Sequence, residues 1–173
     1  MFRAFVLGIL VTVVVAVVVA YFFVTNAVIP MNGDAKRLPL EGWAARTALH
    51  ATLEREAPKG SNPVALSDAN LIAGIGLYAK NCVICHGTAK GDASITPIAK
   101  GMYIQPPQLA TDGVEDDPEG YTFWKVKHGI RWTAMPAWEG TLNDEQIWTL
   151  ALFLKHMDKL PAAAEQAWQQ VTN

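Results

Sequence analysis

The chain has 173 residues, a formal net charge of −2, 51% apolar residues and two cysteines. The balance of charge excludes a general affinity for nucleic acid, and two cysteines exclude a disulfide-dense scaffold. The apolar content is concentrated at the N-terminus, so the remainder has the composition of an ordinary globular domain.

From Ala4 to Val24 there is no charge and almost no polar group apart from Thr12. A run of about twenty such residues is long enough, as a helix, to cross a hydrocarbon core of about 30 Å. Its Val-rich stretch is β-branched, but a helix is the one single-segment solution that satisfies the backbone in lipid. A cleaved export signal has a shorter apolar core and a small-x-small site, which Thr25-Asn26-Ala27 matches poorly. Residues 1–29 are therefore expected to be an uncleaved transmembrane anchor, contacting the bilayer through residues 4–24. Arg3 precedes this run and places a thin vote for a cytoplasmic N-terminus.

Residues 30–66 are expected to be a linker containing one helix. Ile29-Pro30 and Asn32-Gly33 mark a break and a turn. Leu40–Glu56 has helical character, with Trp43, Thr47, Ala48, Leu49 and Leu53 roughly on one side. Its two readings are a helix that covers part of the following domain and a contact for a membrane partner. Pro58 to Pro63 ends it. Ser67 is an N-cap for a helix from Asp68 to about Asn81, whose inner stripe is Leu71, Ile75, Tyr78 and Ala79 with Gly74 among them.

Cys82-Val83-Ile84-Cys85-His86 follows and holds both cysteines of the chain. Zinc would need further ligands, and no second cysteine pair exists. A thioredoxin-like pair needs no trailing histidine, and a disulfide over so short a loop would constrain little of the unfolded chain. The pattern instead fits covalent attachment of one haem c, with Cys82 and Cys85 as thioether partners and His86 as the proximal iron ligand. Because such attachment takes place outside the bacterial cytoplasm, the domain is expected on the periplasmic face of the inner membrane.

Gly87 to Gly113 reads as largely irregular, with Pro97, Pro106 and Pro107. Asp117-Pro118 reads as a cap with proline at the first helical position, and Gly129 as the end of that helix after His128. Asn143-Asp144-Glu145-Gln146 resembles a capping box opening a helix with the stripe Ile147, Leu150, Ala151 and Leu154, ending near Pro161. Residues 161–173 form a tail with one further short helix over Ala162 to Val171. The best candidate for a second axial ligand is Met135, because Pro136 stiffens the loop that carries it. Met102 and His128 are weaker candidates, and Met157 reads as core filling. Lys80, Lys90, Lys100, Lys125, Lys127 and Arg131, and an acidic segment over 112–119, are either docking contacts or ordinary solvated surface, with surface the preferred reading.

Ser67 to Leu160 resembles the class I, mitochondrial-like c-type cytochromes. Gly74, Leu77 and Tyr78 before Cys82-Val83-Ile84-Cys85-His86-Gly87, then Met135-Pro136-Ala137-Trp138 and Leu142 to Met157, stand in that family's order. The resemblance implies an all-α fold over residues 67–160 around one haem. It implies crossing first and last helices, with Gly74 at the crossing and Tyr78 against Leu150, Phe153 or Leu154. It also implies a proline carbonyl at the His86 ring, with Pro97 the first choice and Pro107 the second. Trp138, beside the Met135 loop, reads as haem-pocket packing in preference to a docking anchor. The implied role is single-electron transfer, by an anchored carrier or by the cytochrome subunit of a respiratory or photosynthetic complex, with redox proteins as partners and no enzymatic site. Two other readings are a haem peroxidase or gas sensor with an open sixth position, and a mainly structural subunit.

Overall fold

The computed structural model describes residues 2–26 and 28–172. Ala27, the last residue of the weak Thr25-Asn26-Ala27 triplet, lies outside them. The chain forms two compact units, Met1–Lys36 and Arg37–Asn173. Among the described residues every regular element is helical.

The first unit contains α1, Phe2–Thr25, long and apolar enough to cross a membrane, with its side chains exposed. In the second unit, α2 (Glu41–Glu56) precedes α3 (Asp68–Asn81). Ser67 caps α3 by accepting from the backbone N–H of Asn70 at 3.2 Å. Val83–His86 forms a single turn, α4, and a 3-10 turn spans Gly91–Ser94. The short α5 (Pro97–Lys100) opens on Thr96, whose Oγ1 accepts from Ala99 N at 3.1 Å. The segment expected to be irregular therefore carries two short helical turns, and a side-chain cap of the kind that hydrophobic periodicity does not register fixes α5.

The helix α6 is Glu119–His128, one residue later than the Asp117-Pro118 pattern suggests, and Pro118 is its cap. Asp117 does not cap because its carboxylate is taken by Lys125 Nζ at 2.6 Å. The expected capping box is complete on α7, Asp144–Lys155, with Asn143 and Gln146 bonding reciprocally. This helix ends short of Pro161: His156 caps it, and the Lys155 ammonium is drawn to the backbone oxygens of Glu115 and Asp117. Finally α8, Ala162–Gln169, buries Ala164 and Trp168.

The core forms where α3, α7 and α8 meet. Gly74 permits the α3–α7 approach, since a Cβ there would lie 2.6 Å from Phe153 Cβ and 2.7 Å from the Thr149 carbonyl oxygen. Tyr78 meets Phe153 edge-on at 5.7 Å between ring centroids, and Trp168 packs at 5.3 Å against each of them. The last helix is thus built into the core rather than trailing from it. Phe123 of α6 stacks on Trp148 of α7 at 4.3 Å, closing a second side.

The stripe expected on α2 is only partly inward. Leu53 is buried and Leu49 half-buried, but Trp43, Thr47 and Ala48 are exposed. Two tyrosine–glutamate bonds hold this helix instead, Tyr103 to Glu41 and Tyr121 to Glu54, with Ala57 buried at its C-terminal end and Pro58 set against Gly120.

Candidate haem-binding site

Cys82, Cys85 and His86 share one helical turn because α3 is capped by Cys82 and α4 begins at once. The backbone N–H groups of Cys85 and His86 both donate to the Cys82 carbonyl, at 3.0 and 2.9 Å. A four-residue helix leaves its carbonyls without intrahelical partners. Here each one is met. Val83 O accepts from Gly87 N at 2.9 Å, and Ile84 O from the Thr96 hydroxyl at 2.7 Å. Cys85 O accepts from Gln108 Nε2 at 3.1 Å, His86 O from Leu109 N at 3.2 Å, and Gly87 O from the buried Tyr78 hydroxyl at 2.9 Å. The turn is therefore fixed by α3, by the cap of α5 and by the loop after Pro107.

The two thiols are free and their environment keeps them protonated: burial, with Cys85 nearby, pushes Cys82 up to about 12, and burial raises Cys85. Redox-active pairs and thiolate metal ligands need the opposite shift. Burial also lowers the His86 pKa, partly offset by its hydrogen bond to Pro107. The ring is neutral at pH 7, with Nδ1–H directed at the Pro107 carbonyl oxygen at 2.9 Å. Nε2 makes no hydrogen bond among the described residues and is left to bind a metal. The carbonyl belongs to Pro107 and not to Pro97, the first choice from sequence. Pro97 opens α5, and its own oxygen accepts from Gly101 N at 3.1 Å.

Met135 lies in the loop between α6 and α7, half-buried on the same core that Cys82 borders. This loop is strapped to the end of α6. Ile130 N donates to Met135 O at 3.2 Å, and Trp138 N to Val126 O at 3.2 Å and to Lys127 O at 3.1 Å. Gly129 at φ 66° makes the strap fit, since a Cβ there would come within 2.7 Å of Met135 O and of Ala137 N. Trp138 is half-buried against the core. Of the weaker ligand candidates, Met157 is core and His128 is held at the surface, Nδ1 3.4 Å from Glu139 with its ring beside Trp124. Met102 is half-buried in the turn after α5, its N–H donating to Ala99 O at 3.3 Å.

Residues 69–154 match the family model described as cytochrome C oxidase, cbb3-type, subunit III. This segment is a c-type cytochrome domain. No curated protein and no solved structure matches the chain. The cytochrome domain implies haem c, and the donor set fits it: two protonated thiols and a neutral imidazole on one turn, with one ring nitrogen committed and the other free. Apolar side chains also stand uncovered on the elements that carry these groups, Ile84 between the cysteines, Ile98 on α5 and Trp132 in the Met135 loop. A flat apolar cofactor is suited to covering such surfaces.

Sequence reading missed Gln108. Its buried amide donates to Cys85 O and, at 3.3 Å, to Pro106 O, while Oε1 has no partner and faces Gly87. Its one sequence signal is its place directly after Pro106-Pro107. Two of the lysines considered as docking contacts are engaged within the domain, Lys125 with Asp117 and Lys127 with Asp144 at 2.7 Å. Part of the acidic segment is likewise used internally, as Glu119 accepts from Asn62 at 2.9 Å.

Proposed function

We propose that this chain is a membrane-anchored cytochrome c carrying a single haem, held on the periplasmic face by α1, and that it passes single electrons as a subunit of a membrane-bound respiratory complex. The observation that carries the reading is the His86 geometry. A neutral ring with Nδ1–H on the Pro107 carbonyl offers Nε2 to iron, beside two thiols on the same turn, within the segment that matches an oxidase-subunit family. One pair of cysteines supports one covalent haem.

Haem bound in this way supplies one-electron exchange between ferrous and ferric iron. The protein's part is to hold its donors still. Pro107 orients the imidazole and makes it more electron-rich. Met135, on its strapped loop, is the proposed sixth ligand, and a thioether there favours the ferrous state. Lys80, Lys90, Lys100 and Arg131 make no ion pair among the described residues and are proposed for transient contact with an acidic partner.

Haem staining of membranes on a denaturing gel tests the assignment. The wild-type chain should stain, and Cys82→Ala with Cys85→Ala should abolish the stain while the polypeptide persists. A wild-type chain that fails to stain would overturn the reading.

A further inference from the structure

The loop that presents the Pro107 carbonyl is suspended between two anchors. On its C-terminal side, Gln108 Nε2 and Leu109 N bond Cys85 O and His86 O. On its N-terminal side, the Tyr103 hydroxyl donates to Glu41 Oε2 of α2 at 2.6 Å, and Gln105 Nε2 donates to Lys100 O at 3.2 Å. Between them, among the described residues, no backbone N–H from Tyr103 to Gln108 donates to a backbone carbonyl, and Gln108 Nε2 also reaches Pro106 O at 3.3 Å. Pro106 and Pro107 have no N–H to give, and consecutive prolines fix φ and stiffen the residues before them. A displacement at Tyr103 is therefore carried toward Pro107 rather than absorbed.

The Glu41 end is itself braced. The same oxygen that accepts from Tyr103 accepts from Leu38 N at 3.1 Å. Leu40, between them, has φ 68°, a left-handed conformation that strains a leucine backbone. The Tyr103 bond is the main cause that holds the Glu41 carboxyl below its usual value, and Glu41 in turn raises the Tyr103 phenol, as expected for a bond to an ionised acceptor.

We infer that Glu41 and Tyr103 are positioning residues for the proximal ligand: by pinning the start of the Tyr103–Pro107 rod to α2, they hold the Pro107 carbonyl at Nδ1 of His86. Helix α2 is then a brace for the haem site as well as a connection to α1. The inference rests on His86 being the ligand of a covalent haem. It is testable without unfolding the domain, because Leu53, Ala57 and the Tyr121–Glu54 bond keep α2 attached at its other end.

The experiment uses the full-length holoprotein in mild detergent, with Tyr103→Phe, Glu41→Ala, their double variant and Glu41→Gln, each first shown to carry stained covalent haem. The readouts are the midpoint potential and the solvent exchange of the His86 Nδ1–H proton by NMR in the ferrous protein. Both single variants should speed exchange roughly ten-fold, on the scale of one lost bond to an ionised acceptor. They should also raise the potential, because a slackened Nδ1–H···O bond leaves the ring less electron-rich. The double variant should go no further, and Glu41→Gln, which keeps an acceptor oxygen, should stay near wild type. Wild-type exchange and potential in both single variants, even with a lower melting temperature, would overturn the positioning role while leaving the haem assignment intact. A wild-type chain without covalent haem would overturn both.

Discussion

Tyr78 does two jobs with one side chain. Its ring fills the α3–α7–α8 core between Phe153 and Trp168, and its hydroxyl meets the carbonyl of Gly87 at the end of the Cys82–His86 turn. Tyr78→Phe keeps the ring and strands a buried carbonyl, which costs about 1–3 kcal/mol. We expect chemical denaturation to show that loss with an unchanged slope, and haem still attached. An unchanged midpoint would mean that water replaces the hydroxyl. For Met135→Ala we expect covalent haem to persist, the ferric spectrum to change and the potential to fall; an unchanged spectrum would assign the sixth position elsewhere. Cys82, Cys85 and His86 were open to proposal from the sequence because the chemistry of haem attachment requires a local spacing that needs no fold. The partner of His86 was not, because Pro97 and Pro107 both follow the motif, and the choice between them depends on where the chain turns. Thr96 and Gln108 settle it, by fastening α5 to Ile84 and the later loop to Cys85.

At the level of elements, sequence periodicity succeeded where burial is apolar and one-sided. The stripes of α3 and α7 are inward, and Gly74 marks their crossing. Gly74→Ala would push a methyl into Phe153 and the Thr149 carbonyl, and such overpacking costs about 1–3 kcal/mol. We expect a lower denaturation midpoint, with Gly76→Ala, which meets open space on the same helix, as a harmless control. Periodicity failed on α2, because that helix is held by carboxylate–phenol bonds and by its end rather than by a hydrophobic face. Those bonds make a pH prediction. Tyr103 and Tyr121 each hold a carboxyl, Glu41 and Glu54, below the ordinary 4.5. A depressed carboxyl contributes its stability above the unfolded value and loses it as pH falls through the folded one. Amide exchange in α2 should therefore rise below about pH 4.5 before α3 and α7 lose protection. Simultaneous loss in all three would show that the two bonds do not govern α2.

For the molecule as a whole, the decisive property is that the cytochrome domain is tied to a long apolar helix. A one-haem domain without a tether meets its partners by diffusion, and its encounters are limited by concentration. A domain tethered at a membrane gains an effective concentration set by the tether, and that advantage requires the partner to lie in the same membrane. The anchor reading predicts that the chain stays in the pellet after alkaline carbonate washing, since burying some twenty apolar residues does not depend on charge. The subunit reading predicts more. In membranes solubilised with mild detergent, haem stain on a native gel should fall in a large band. Replacing residues 2–25 with a cleavable export signal should yield a soluble, haem-stained domain and deplete that band. Migration as a small species from wild-type membranes would make the chain an anchored carrier, whose partners must then be met by lateral diffusion. Soluble wild-type chain after carbonate washing would make α1 a signal for export, and the brace formed by α2 would then serve the haem site of a free domain.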